Sequence, residues 1–189
     1  MKVIVKSYSM DVKTINIETP RLILRPWRED DAEILYRYAS DPAVGPAAGW
    51  PPHESIDNSL EVIRTVFAAP ETYAIVLKAT GEPIGCCGIV LRDGMAVGEA
   101  EIGYWLGAPY WGQGLMTEAV RGLVCRCFDI LGQSAVWIGY YDGNDRSRRV
   151  AEKCGFTYHH TEYSRQSLLG DMHDEHFMRL TAEEHSAGS

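Results

Sequence analysis

The stretch Glu101–Ala119, EIGYWLGAPYWGQGLMTEA, concentrates residues that could do chemistry. An extended pattern ends near Leu106, and Gly112, Gln113 and Gly114 then lead straight into a helical pattern. The glycines let the backbone approach a ligand closely. The N–H groups of the helix's first turn point at that ligand with the positive end of the helix dipole behind them. Thr117 adds a hydroxyl inside the same turn. The arrangement is an anion site. A dinucleotide fingerprint would need a third glycine at position 117, and a P-loop would need Gly-Lys-Ser/Thr, which is absent. What remains is a phosphate-binding turn of another kind, placed late in the chain.

Other reactive residue types carry less. His173, Asp174 and His176 look superficially like metal ligands, but residues three apart on a strand face opposite ways. His159 and His160 are adjacent and diverge likewise, so no metal is expected. The five cysteines form no pair with the two-residue gap of a redox or zinc motif. An odd count suits a reducing compartment, and all five read as packing residues.

The elements that must position the glycine turn follow from periodicity. Thr14 to Pro26 reads as a strand pair or one bent strand, with Ile15, Ile17, Leu22 and Leu24 alternating with polar residues. Glu29, Asp30, Asp31 and Glu33 open a helix to Ser40, where carboxylates complement the helix dipole. Asp41 to Pro52, rich in Pro, Gly and Ala, is a loop. Glu54 to Ala69 reads as a helix with Ile56, Leu60, Ile63 and Phe67 on one face. Tyr73 to Ala79, Pro83 to Leu91 and Val97 to Leu106 are strands. A helix from Gly114 to about Leu131 follows, with Leu115, Ala119, Leu123, Cys127 and Leu131 at four-residue intervals. Ala135 to Tyr141 is a strand, Asp145 to Cys154 a helix, and Thr157 to Gln166 and Asp171 to Leu180 close the chain as strands. The short turn Thr80-Gly81-Glu82 demands antiparallel pairing, whereas the unit from Val97 to Tyr141 supplies a parallel crossover. An α/β single domain of about seven strands is expected, its mixed, mostly antiparallel twisted sheet covered by helices on both faces.

At 189 residues, 46% apolar and 23% charged, the chain has the profile of an ordinary globular domain. A formal net charge of −8 argues against a surface built for nucleic acid and is compatible with cationic or amine-bearing partners. No apolar run approaches the roughly 20 residues that span a bilayer. Met1 to Lys13 has no signal-peptide core, so a cytoplasmic location is expected. Residues 183–189 are small and polar and are expected to fray.

Several blocks then share one resemblance. Pro109 to Gly114 resembles the pyrophosphate-binding motif of GNAT acetyltransferases, Gln/Arg-x-x-Gly-x-Gly/Ala, with Pro109 at its first position. That substitution, and the wording Tyr110-Trp111-Gly112-Gln113-Gly114 with Thr117, Glu118 and Ala119, resemble the ribosomal-protein N-terminal acetyltransferase branch. Thr19, Arg21, Leu22, Leu24, Arg25, Asp31 and Ala32 match the opening of that branch. Asn144 and the run from Ser147 to Lys153, with Gly155 and Phe156, match its late helix. Gly170, Asp174, Phe177 and Leu180 resemble its last strand. The resemblance runs from about residue 18 to 180 in the expected order.

It implies direct transfer of acetyl from acetyl-CoA to a primary amine, without an acyl-enzyme and without a metal. The pantetheine arm would pair with the edge Ile102 to Leu106, with backbone N–H near Leu106 polarising the thioester carbonyl. The pyrophosphate would sit on the amides of Trp111, Gly112, Gln113, Gly114, Leu115 and Met116, aided by Thr117. Asn144 would hydrogen-bond the cofactor, and Ser147 could protonate the departing thiolate. An amine at neutral pH is mostly ammonium, so a general base is required. Glu101 is the candidate, with pairing to an arginine as the alternative reading and Glu99 as a lesser rival. Some relatives carry a carboxylate on the next-to-last strand, and no matching acid stands around Gln166. Tyr104 is a candidate contact for the acetyl group or acceptor, core packing being the alternative. Trp50, Pro51, Pro52 and His53 either wall the acceptor site or anchor their loop. The acceptor is a protein N-terminus or a small amine, and the family's homodimers are compatible with the chain. Two other readings stand beside this one: a non-catalytic acyl-CoA-binding module, and an unrelated nucleotide-binding α/β protein.

Overall fold

A computed structural model describes residues 16–91 and 98–187. The expectations for Met1 to Lys13, for Thr14 and Ile15, for the strand start at Val97 and for the last two residues lie outside these.

Among the described residues, eight strands form one sheet in the order β1-β2-β3-β4-β5-β6-β8-β7. The expected bent strand resolves into β1 (Ile17–Glu18) and β2 (Leu22–Arg25), which pair antiparallel and account for eight strands where about seven were expected. β3 (Thr72–Leu77), β4 (Glu82–Val90) and β5 (Glu99–Leu106) continue the antiparallel run. β6 (Ala135–Tyr141) then pairs parallel to β5. The crossover between them is α3 (Leu115–Cys125), followed by a π-helical turn, Arg126–Ile130. β8 (Met172–Thr181) pairs antiparallel with both β6 and β7 (Thr157–Gln166).

Helices cover both faces, as the periodicity requires. On one face α1 (Ala32–Ala39) and α2 (Ile56–Thr65) bury Leu35, Ala39 and Ile63 against Trp27, Val76 and Cys86. On the other, α3 and α4 (Asp145–Lys153) bury Leu115, Ala119, Leu123 and Ala151 against Leu24, Ile75, Ile102 and Ile138. Alternation along each strand sorts its side chains between these faces. On β5, Ile102, Tyr104 and Leu106 join the α3/α4 core, while Trp105 packs with the α1/α2 cluster.

Several details depart from the sequence reading. Ile56, expected on the buried face of α2, is 45% exposed, because the helix begins there rather than at Glu54. The helical pattern expected to reach Leu131 changes form at Arg126, whose buried guanidinium bonds Glu71 in the core at 2.5 and 2.6 Å. Of the tail expected to fray, the described residues up to Ala187 lie in a short helix, α5 (Ala182–Ala187). Its cause is a capping pair: Glu184 accepts from the Thr181 N–H and hydroxyl, and the Glu184 N–H donates to Thr181 Oγ1. Among the cysteines, Cys86, Cys87 and Cys127 are buried as expected, but Cys125 is exposed.

Candidate active site

The site is a break in the sheet. β5 and β6 pair only at Glu99–Ala135, Ala100–Val136 and Glu101–Trp137. Beyond Glu101, β5 stays paired to β4 as far as Leu106, but β6 no longer follows it. The backbone edge Ile102–Leu106 is therefore left without a strand partner on the β6 side. A cavity of about 600 Å³ occupies the resulting notch and takes lining from both faces of the sheet.

On the α3/α4 face the glycine turn stands at the notch. Gly112 and Gly114 both adopt φ of +74°, which a side-chain-bearing residue rarely takes, and a Cβ on Gly112 would meet nothing within 4 Å. Gly114 is the N-cap of α3 and no side chain caps the first turn, so its N–H groups remain for a ligand. Gly112, Gly114, Leu115, Met116 and Thr117 all line the cavity. Gln113 does not line it: its side-chain amide turns back to donate to the Pro109 carbonyl at 3.0 Å. Trp111 lines the cavity too, and its indole N–H donates to the Leu106 carbonyl at 2.7 Å, tying the turn to the free edge of β5.

The hydroxyls of Tyr104 and Ser147 meet in the notch at 2.9 Å. Burial drives the Tyr104 phenol well above its ordinary range, with the Ser147 bond acting in the opposite sense, so the phenol stays protonated at neutral pH. Ser147 is held by Asn144, whose side-chain oxygen accepts from the Ser147 N–H at 3.2 Å and caps α4. The other end of the Asn144 amide donates to the Ala47 carbonyl at 2.9 Å. Asn144 lines the cavity as expected, but its amide is engaged with the protein at both ends.

A cationic rim completes this face, and the sequence reading gave it no role. Arg146, Arg149 and Lys153 line the cavity from one side of α4. Arg146 stacks on Trp111, its guanidinium carbon 4.3 Å from the ring. Spacings of three and four residues place the trio on one helical stripe, which is the sequence signal for them.

The α1/α2 face holds the carboxylates. Glu101 lines the notch at the last paired position of β5. Its rival Glu99 is committed elsewhere, accepting from Trp137 Nε1 at 2.9 Å and Arg179 Nη2 at 3.1 Å. A second carboxylate, Glu175, lines the same cavity from β8, paired in register with Tyr141. Counting along β6 from Trp137, opposite Glu101, to Tyr141, opposite Glu175, keeps all four residues on one sheet face. Gly139 makes room for Glu175, because a Cβ there would lie 2.7 Å from its carboxylate oxygen. Arg165 stands 3.7 Å from the other oxygen. No local pattern marks Glu175, since its position depends on the pairing of two distant strands. Val44, Ala47 and Ala48 of the loop before α2 close this side with Trp105 and Tyr141. Behind Trp105 lies Trp50, edge-on at 5.7 Å, and His53 bonds Ser59 at 2.8 Å. Trp50 and His53 are thus anchors of the loop that walls the cavity. His173 and His176 bond different acids, Asp171 and Asp142.

The match to known proteins is consistent with this geometry. Residues 21–157 match the family model described as an acetyltransferase (GNAT) domain, and the chain belongs to that family, whose cosubstrate is acetyl-CoA. It is 35% identical over 111 residues to the uncharacterized N-acetyltransferase p20 of Bacillus licheniformis, a match spanning 56% of this chain and 62% of that protein. It is 30% identical over 145 residues to the uncharacterized N-acetyltransferase YoaA of Bacillus subtilis (strain 168), covering 74% of this chain and 81% of that one. Among solved structures, the ribosomal-protein-S5-alanine acetyltransferase of Vibrio fischeri superposes with a TM-score of 0.72 at 18% identity, over 88% of this chain and 96% of that one. The microcin C7 self-immunity acetyltransferase MccE, solved with acetyl-CoA and AMP, gives a TM-score of 0.72 at 23% identity, over 86% and 93%.

Proposed function

We propose that this protein transfers acetyl from acetyl-CoA directly to a primary amine, with the cosubstrate entering from the α3/α4 face and the amine from the α1/α2 face. The observation that carries this reading is the parting of β5 and β6 beyond Glu101, which opens one cavity to both faces. Acetyl-CoA supplies an electrophilic thioester carbonyl and a thiolate leaving group. The free edge Ile102–Leu106 offers its backbone to the pantetheine amides, and the turn Trp111–Met116 offers N–H groups to the pyrophosphate. Arg146, Arg149 and Lys153 supply positive charge for the remaining phosphate.

The proton accounting follows the two faces. Glu101 takes the proton that the ammonium must lose before nitrogen can attack, directly or through a water. As the new C–N bond forms and the C–S bond breaks, Ser147 donates its hydroxyl proton to the sulfur and regains one from Tyr104 along their 2.9 Å contact. The second proton shed by the acylated nitrogen returns to Tyr104 by way of solvent, so the amide and the thiol leave neutral and only the proton on Glu101 is released. Asn144 acts as a positioning residue, holding Ser147 and the Ala47 loop. Glu175, with Trp105 and Tyr141, gives the acceptor side a negative, aromatic character that suits a cationic amine. Both a peptide N-terminus and a small amine meet that description.

The test is thiol release from acetyl-CoA with a panel of N-terminal peptides and small amines. Wild type is expected to release thiol with at least one of them, and Glu101→Gln to slow the reaction by about 10²- to 10⁴-fold at saturating acetyl-CoA. An unimpaired Glu101→Gln variant contradicts the assignment of the base.

A further inference from the structure

A carboxylate in the first turn of an anion-binding helix presents a problem. Glu118 lies in the first turn of α3, where its charge stabilises the helix but repels a phosphate arriving at the same N-terminus. The segment Thr19–Arg21, from the far end of the sequence, answers it. Thr19 Oγ1 donates to Glu118 Oε1 at 2.6 Å, and the Arg21 backbone N–H donates to the same oxygen at 2.7 Å. Arg21 Nε donates to Glu118 Oε2 at 2.6 Å. Burial pushes the Glu118 carboxyl upward, but these bonds outweigh it and hold the group below its ordinary range. The carboxylate is therefore ionised, and both of its oxygens accept hydrogen bonds from Thr19–Arg21.

Arg21 makes one more bond, and it reaches the turn itself. Its Nη1 donates to the Gln113 carbonyl at 3.0 Å, while Nη2 lies 3.8 Å from where a Gly114 Cβ would stand. In a trans peptide the C=O and the following N–H point in opposite directions. Fixing the Gln113 carbonyl toward Arg21 therefore turns the Gly114 N–H away from it.

We infer that Arg21 is a positioning residue for pyrophosphate binding: it neutralises Glu118 and pins the Gln113–Gly114 peptide so that the turn presents its N–H groups to the phosphates. The inference rests on the reading that acetyl-CoA occupies the notch with its pyrophosphate on Trp111–Met116. It gives the Thr19–Arg21 motif and Glu118 a part in the site, though none of the three lines the cavity.

The test compares two ligands that differ in the relevant group. Dissociation constants for acetyl-CoA and for S-acetylpantetheine, which lacks the pyrophosphate and nucleotide, are measured by calorimetry, direct for the first and by displacement for the second. Loss of a charge-assisted bond in Arg21→Ala is expected to weaken acetyl-CoA by about tenfold, with S-acetylpantetheine changed by less than about twofold. A general loosening of the notch would weaken both ligands equally, and that result, or no change in either, overturns the role of Arg21. Should the alanine variant not fold, Arg21→Lys carries the same comparison, since an ammonium keeps the charge but not the fork that spans Glu118 and Gln113. A wild type that binds neither ligand overturns the underlying reading as well; an equal loss in the variant overturns only this one.

Discussion

In the proposed mechanism the departure of the thiolate turns on Ser147 and Tyr104. Each hydroxyl alone is an ordinary side chain; their 2.9 Å contact in a half-buried setting is what the proposed relay rests on. Groups that act as a unit are strongly non-additive when removed. Ser147→Ala and Tyr104→Phe are each expected to lower kcat by about 10²-fold or more, and the double variant to be little worse than the poorer single one. Steady-state thiol release checks this, and multiplicative losses would show that the two hydroxyls act independently. At this scale sequence blocks point to Ser147 and Glu101 as candidates, and both line the cavity. Glu175 was not legible in the sequence, because its place in the notch follows from the register Tyr141–Glu175 between strands more than thirty residues apart. Asn144, expected to bond the cofactor, lines the cavity, but its engagement with Ala47 depends on where a distant loop comes to rest.

The elements around the site are held by ion pairs of very different weight. Arg64–Glu29 and Arg148–Glu152 lie on the surface, where such pairs contribute little. Glu71 and Arg126 are 8% and 5% exposed in their side chains and fasten the end of the α3 crossover to the start of β3. Burial raises the Glu71 carboxyl, yet the bonds from Arg126 and Tyr73 outweigh it and set the group below its ordinary value of 4.5. A carboxyl depressed on folding adds stability that is present above its unfolded value and lost as pH falls through its folded one. The wild type is therefore expected to lose stability progressively below about pH 4.5. Glu71→Gln leaves the Arg126 charge buried without its partner, at a cost of about 3–5 kcal/mol near neutral pH. Denaturant unfolding at pH 7 and pH 4 checks both. A variant as stable as wild type at pH 7 would contradict the account. Sequence periodicity located α3 and its apolar stripe but carried the helix on to Leu131. It could not register that Arg126, a charged residue, is drawn inward by an acid on another element.

At the scale of the whole molecule, one interruption in an otherwise continuous sheet organises everything else. The antiparallel run and the parallel crossover could be read from spacing, since turn length dictates the direction of pairing, but the insertion of β8 between β6 and β7 could not. The point at which β5 and β6 separate could not, because nothing in Ile102–Leu106 distinguishes a paired edge from a free one. Resemblance to a known family, and not periodicity, supplied that expectation, and the register ending at Glu101–Trp137 agrees with it. The notch then explains why glycines, hydroxyls and arginines gather on one face while Glu101 and Glu175 gather on the other. It also explains how a chain with a net charge of −8 can accept a polyanionic cosubstrate: the positive charge is local, on α4 and at the helix N-terminus.

Amide hydrogen exchange with and without acetyl-CoA tests the notch most directly, because an edge without a strand partner exchanges readily until a ligand bonds it. The account expects acetyl-CoA to slow exchange in Ile102–Leu106 and Trp111–Met116, with ATP leaving the Ile102–Leu106 edge unprotected. Protection confined to other segments, or an unchanged β5 edge at saturating acetyl-CoA, would contradict it.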